Sequence, residues 1–69
     1  MKSISGKTFC KILERKGWIL KRVKGSHHIY QNPESNSIVS VPVHSNKDLK
    51  IGTLGTLMKN ANVSESDLQ

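Results

Sequence analysis

Trp18-Ile19-Leu20-Lys21-Arg22-Val23, Lys24-Gly25-Ser26, His27-His28-Ile29-Tyr30-Gln31, Asn32-Pro33-Glu34-Ser35-Asn36 and Ile38-Val39-Ser40-Val41-Pro42-Val43 follow one another through the middle of the chain. The first, third and fifth runs are rich in β-branched and aromatic residues, which fit a pleated, half-buried surface. The runs between them carry Gly, Pro, Asn and Ser, the residues of turns. Lys24-Gly25-Ser26 is short enough for a hairpin connection. Ile38 to Val43 alternates, with Val39, Val41 and Val43 on one face and Ser40, Pro42 and His44 on the other. Pro42 has no amide proton for a ladder, so this strand lies at a sheet edge or ends there. Three strands joined by short loops predict an antiparallel meander.

Upstream, the pattern changes to helical spacing. Ser5 is a good N-cap, and Ile4 before it with Phe9 after it stand at the spacing of a hydrophobic staple. Phe9, Ile12 and Leu13 form an apolar stripe, while Lys7, Lys11, Glu14 and Arg15 lie off it. Gly17 suits the left-handed residue beyond a helix end, so the spacing predicts a helix over residues 6 to 16. Cys10, beside the stripe, reads as a small core residue. Downstream, Ile51, Leu54, Leu57, Met58 and Ala61 repeat the helical spacing, and Lys59 sits where a cation suits the dipole. Gly52 and Gly55 each weaken this helix by about 1 kcal/mol relative to Ala. They are either a tolerated cost or room for a closely approaching backbone or ligand. Asn60 and Asn62 offer a C-terminal stop, and Ser64-Glu65-Ser66-Asp67 has the form of a capped final turn. The expected fold is α+β: helix-strand-strand-strand-helix, with both helices on one face of the sheet and the other face open.

Composition narrows the function. The 69 residues, 35% of them apolar with Phe, Trp and Tyr once each, make one small domain spanning 1–69. Such a core is too small for a deep substrate cavity, which favours a surface that meets a polymer. Eleven Lys and Arg against five Asp and Glu leave a net charge of +6 and a pI near 9.8. That balance points to nucleic acid or another polyanion. One cysteine excludes an internal disulfide scaffold and a zinc site built on several thiolates. No apolar run approaches the roughly 20 residues of a membrane span, and Met1-Lys2-Ser3-Ile4-Ser5-Gly6 lacks the apolar stretch of a secretory signal. The expectation is a cytoplasmic chain with no membrane partner.

All three histidines, His27, His28 and His44, lie between residues 24 and 53. Imidazole is the side chain best suited to proton transfer at neutral pH. Neighbours on a strand point to opposite faces, so His27 and His28 cannot share a metal, and no Cys or acidic cluster supports them. Neither a metal nor any other cofactor is expected. A histidine in a turn is usually just solvated, but this one follows Gly25-Ser26 and has Lys21, Arg22 and Lys24 close by. A histidine amid cations suits phosphodiester chemistry, with the cations holding phosphate.

Gly25-Ser26-His27-His28-Ile29-Tyr30 resembles the Gly-Ser-His-x-x-aromatic signature of the HicA toxin family, the small mRNA interferases also called YcfA-like proteins. Val41-Pro42-Val43-His44 is similar to the family's Val-Pro-x-His. Asp48-Leu49-Lys50-Ile51-Gly52-Thr53-Leu54 resembles its acidic-Leu-Lys-Pro-Gly-Thr-Leu opening of the last helix, and Gly17-Trp18 its Gly-aromatic start of the first strand. Four blocks in order span nearly the whole chain. The chain departs from the pattern at Ile51, where Pro is common, and at Gly55, where a larger polar residue is usual.

The resemblance implies a fold like a double-stranded RNA-binding domain, cleavage of mRNA, and inhibition by a HicB-type antitoxin. It assigns catalysis to His27 and nothing to His28. The simplest mechanism has His27 as general base on a ribose 2′-hydroxyl, without metal. Ser26, Lys24 and Arg22 are candidates to stabilise the charged phosphorane. His44 is a candidate for the second proton transfer or, equally, for a structural hydrogen bond after the third strand; Tyr30 is a weaker candidate for that transfer, and packing against a helix is the favoured reading for it. Lys50 and the amides near Gly52-Thr53 form a candidate phosphate site, with an ordinary helix start as the alternative. Two other readings use the same residues: a non-catalytic double-stranded RNA-binding module, and a protein-interaction domain whose basic face meets an acidic partner.

Overall fold

The computed structural model describes residues 3–68, so Met1 and Lys2 of the segment read for a secretory signal, and Gln69, lie outside the described residues. The order is α1 (Gly6–Arg15), β1 (Ile19–Lys24), β2 (His27–Gln31), β3 (Ile38–Pro42), α2 (Ile51–Ala61) and a closing 3-10 turn (Glu65–Leu68). The strands pair antiparallel in the order β1-β2-β3. Fold class, element order and the helices' shared side of the sheet are as the spacing predicts.

Local chemistry accounts for the ends of α1. The Thr8 amide donates to Ser5 Oγ at 3.1 Å, which satisfies one orphan donor of the first turn. Ile4 and Phe9 are both buried, as a staple requires. The helix stops at Arg15, one residue earlier than expected, because Lys16 already serves as the C-cap. Gly17 follows at φ 96°, a conformation that L side chains rarely adopt. At the other end of the chain, α2 stops at Asn62, left-handed at φ 55°. The closing turn is capped by Asp67 Oδ2, which accepts from the Ser64 amide at 2.9 Å and from Lys16 Nζ at 3.1 Å. That amide first, and then the Lys16 ammonium, hold the Asp67 carboxyl below the usual aspartate range.

The core lies between the sheet and the helices. Phe9, Leu13, Tyr30, Val41 and Leu54 are its most enclosed large side chains. Trp18, expected to open β1, instead precedes the strand and is buried in the core. Val39 and Val41 are buried, and Val43 packs against the core beyond the strand, which ends at Pro42 on the sheet edge. Ile51 shares the helical spacing of α2, as expected, and is 51% exposed at the first residue of the helix. Tyr30 is enclosed yet donates its hydroxyl to Glu14 Oε2 at 2.6 Å. Burial first, and then that bond, push the phenol far above its usual value. Burial likewise pushes the Cys10 thiol up, as befits an inert core cysteine.

One close approach fixes the end of β3. A Cβ at Gly6 would collide with the Pro42 carbonyl oxygen, so α1 begins directly against the last residue of the strand. Beside it the Leu49 amide donates to the Ile4 carbonyl at 2.8 Å, and Ser5 bridges to Asp48. The segment leaving β3 is thus tied back to the start of α1.

A candidate nucleic-acid interface at the end of the open sheet face

The strand register sorts side chains by face. Leu20, Tyr30 and Val39 are aligned across the sheet, as are Val23, His28 and Val41, and both rows face the helices. The alternate rows face away: Ile19–Gln31–Ile38, then Arg22–Ile29–Ser40, then Lys24–His27–Pro42. His27 and His28 therefore point to opposite faces, as expected of strand neighbours. Tyr30 lies on the face opposite His27, packed in the core with its hydroxyl on Glu14 of α1, which is the helix-packed alternative; its weaker candidacy as proton donor to the leaving oxygen is corrected.

An irregularity in β1 brings the cations to His27. Pairing runs from Leu20↔Tyr30 directly to Arg22↔Ile29, leaving Lys21 as an extra residue. Without this bulge, Arg22 would pair with His28 on the helix side and Val23 with His27. With it, Arg22 and Lys24 join the open face, and Lys24 is the direct cross-strand partner of His27. Such partners hold their Cβ atoms about 5 Å apart. Lys21 remains exposed at the bulge, unpaired in the ladder.

Gly25 and Ser26 form the two-residue hairpin turn that closes the Lys24–His27 pair. Gly25 takes φ 59° at the first central position, where a glycine removes the steric cost. The Ser26 carbonyl accepts from the Val43 amide at 2.7 Å, so the turn is anchored across β2 to the chain leaving β3. His27 itself is exposed, with Nδ1 at 3.3 Å from Ser40 Oγ.

Next to this row an open groove of about 650 Å³ is lined by Pro42, His44, Ser45, Lys47, Asp48, Leu49, Lys50 and Thr53. Its Pro42 wall is the register partner of His27. His44, Lys50 and Thr53 are thus brought together, while Lys21, Arg22 and Lys24 lie on β1, across β2 from the groove's Pro42 wall. The His44 ring is exposed; the hydrogen bond made at this residue is its backbone carbonyl accepting from Lys47. The structural side-chain bond considered for His44 is therefore not formed. Helix α2 starts at the groove with Lys50 as its N-cap residue, no side-chain cap and no acidic residue in its first turn. Its leading amides are left for an anion or water.

Gly6, Ser40 and the Lys21 bulge escaped the sequence reading. Ser40 had a signal, since alternation puts it opposite Val39 and Val41 on the polar face of β3. The bulge and the Gly6 approach depend on pairing between segments and had none. Among the described residues, no group of three His, Cys, Asp or Glu side chains is placed to hold a metal ion, and no helix is long and apolar enough to cross a membrane.

Fold and surface together define a small α+β protein whose open sheet face ends in a basic, histidine-bearing row beside a lysine-lined groove. The family model described as the HicA toxin of bacterial toxin-antitoxin matches residues 6–63, well over half of the chain, and the chain belongs to that family. Membership gives it the toxin role and implies an antitoxin partner. No curated protein matches the chain.

Proposed function

We propose that the chain is a metal-independent endoribonuclease, an mRNA interferase, with His27 as its general base. The observation that carries this reading is an exposed imidazole placed in register with Lys24, one row from Arg22, on strands that contain no acidic residue. His27 takes the proton of a ribose 2′-hydroxyl as O2′ forms its bond to the adjacent phosphorus. The P–O5′ bond breaks, and O5′ leaves with a proton from a second donor, for which the exposed His44 is the candidate. The products are a 2′,3′-cyclic phosphate and a 5′-hydroxyl. Lys24, Arg22 and the Ser26 turn face the charge that develops on the phosphoryl oxygens. Lys21, Lys50, Thr53 and the uncapped amides of α2 hold flanking phosphates. A HicB-type antitoxin restrains the enzyme, and both act in the cytoplasm.

Cleavage of RNA in the presence of chelator, with end-group analysis of the products, tests the reading. Wild type should yield cyclic phosphate ends, and His27→Ala should lose roughly 100-fold or more in rate while keeping its circular dichroism, the scale on which a general base acts. Wild-type cleavage by a folded His27→Ala would refute it. Salt-sensitive RNA binding without any cleavage by wild type would instead support the non-catalytic RNA-binding reading.

A further inference from the structure

We infer that Ser40 is the positioning residue of His27: its hydroxyl oxygen accepts from Nδ1–H and turns the Nε2 lone pair toward the substrate. The inference rests on the reading of His27 as general base. Ser40 lies on β3, in register with Ile29, so it is the diagonal neighbour of His27 on the open face. Its Oγ stands 3.3 Å from His27 Nδ1. A neutral imidazole carries one proton, and only the nitrogen without it can act as a base. If Nδ1 holds the proton, Ser40 accepts it and Nε2 is free. If Nε2 holds the proton, Ser40 donates to Nδ1 and the outward nitrogen has no lone pair to offer. General-base chemistry therefore selects the first arrangement. It also survives the reaction, because after Nε2 receives the 2′-hydroxyl proton the imidazolium still donates Nδ1–H to the same oxygen. Ser40 is exposed, so its own hydroxyl proton goes to water.

Among the described residues, no other polar side chain lies within hydrogen-bonding distance of the His27 ring. An exposed ring on a turn would otherwise rotate about χ1 and χ2, so the bond selects its orientation as well as its tautomer. Second partners that orient a histidine in metal sites typically act on a 10- to 100-fold scale. Here the bond is neutral and solvent-facing, which favours the lower end.

The experiment compares wild type, Ser40→Ala, Ser40→Thr and His27→Ala on one RNA under single-turnover and steady-state conditions. It adds ¹⁵N detection of the His27 ring in the free proteins at a pH where the ring is neutral. Ser40→Ala should lower kcat roughly tenfold with KM unchanged, and move the ring toward the Nε2–H tautomer. Ser40→Thr, which keeps a hydroxyl on a strand that favours β-branched residues, should restore both. Wild-type kcat and tautomer in Ser40→Ala, alongside an inactive His27→Ala, overturn the inference and leave the general-base reading standing. An active His27→Ala overturns both.

Discussion

Tyr30 shows how one side chain can be polar, enclosed and remote from the chemistry at once. It stands two residues after His28 in the signature segment, yet its place on the helix side of β2 makes its hydroxyl a strut to Glu14 on α1. Removing that hydroxyl should cost about 1 kcal/mol, the usual net value of such a bond, because Glu14 is exposed and water replaces the lost donor. The pH dependence has a definite sign. Folding raises the phenol above its ordinary value near 10. Its contribution is therefore complete below about pH 10 and is lost as pH rises beyond it. Tyr30→Phe should be less stable than wild type at pH 7, with the gap narrowing above pH 10, while RNA cleavage at neutral pH is unchanged. Denaturant midpoints of the two proteins at both pH values check the first point, and a cleavage assay the second. A variant that lost cleavage with full stability would return Tyr30 to the candidate proton donors. Gly6 teaches the complementary lesson, since nothing but the absence of a Cβ lets α1 meet Pro42. Any larger residue there would displace the strand end that lies in register with His27.

Helix α2 carries two glycines whose roles the structure separates. Added Cβ atoms at Gly52 and Gly55 would meet nothing within 4 Å, so neither glycine is kept for packing within the chain. Gly55 is interior to the helix, and Gly55→Ala should stabilise the fold by up to about 1 kcal/mol with RNA affinity unchanged. Gly52 is in the first turn, beside Lys50 and Thr53, at the uncapped end that the proposed function assigns to a phosphate. Gly52→Ala should therefore weaken RNA binding. Thermal melts and binding curves for the two variants decide the matter; equal affinities would make Gly52 a tolerated cost and remove the helix start from the RNA path. At this scale the sequence was highly legible. Caps, staple, turn residues and the alternation of β3 are local, and local chemistry placed the elements to within about a residue at most ends. Helical spacing marks a stripe without saying how far the core extends along it, so Ile51 lies on the stripe and is exposed. The candidate site was legible in its members and not in its arrangement. Lys21, Arg22 and Lys24 read as one cluster, but only the pairing register shows that a bulge at Lys21 turns Arg22 and Lys24 toward His27. Ser40 needed the same register to become a neighbour of His27.

Across the whole molecule the charge is divided by function. The five acidic residues, Glu14, Glu34, Asp48, Glu65 and Asp67, all lie outside the strands, and Glu14 and Asp67 are engaged by Tyr30 and Lys16. The three strands carry Lys21, Arg22 and Lys24 and no acidic residue, while Lys50 at the start of α2 shares its groove with Asp48, so a polyanion meets little opposition on the sheet. RNA affinity should fall with salt, and each phosphate contact removed by substituting one of these cations should flatten the log–log slope by roughly 0.7 to 0.9. Fluorescence titrations across a salt series measure it, and an affinity independent of salt would contradict a phosphate-tracking surface. The same asymmetry bears on restraint of the toxin. The row that carries His27 is exposed, and the antitoxin that family membership implies has a basic, partly apolar target to cover. An acidic surface laid over it would exclude RNA by competition and would associate quickly through charge steering. In the complex, the amides of the Gly25–Ser26 turn, of His27 and of the first turn of α2 should exchange more slowly than in the free toxin. The exposed face of α1, which carries Lys7, Lys11 and Arg15 away from the sheet, should be unaffected. Hydrogen exchange on the free and bound chain reads both regions at once. Protection confined to α1, with the His27 turn still open, would mean that the antitoxin acts without covering the site.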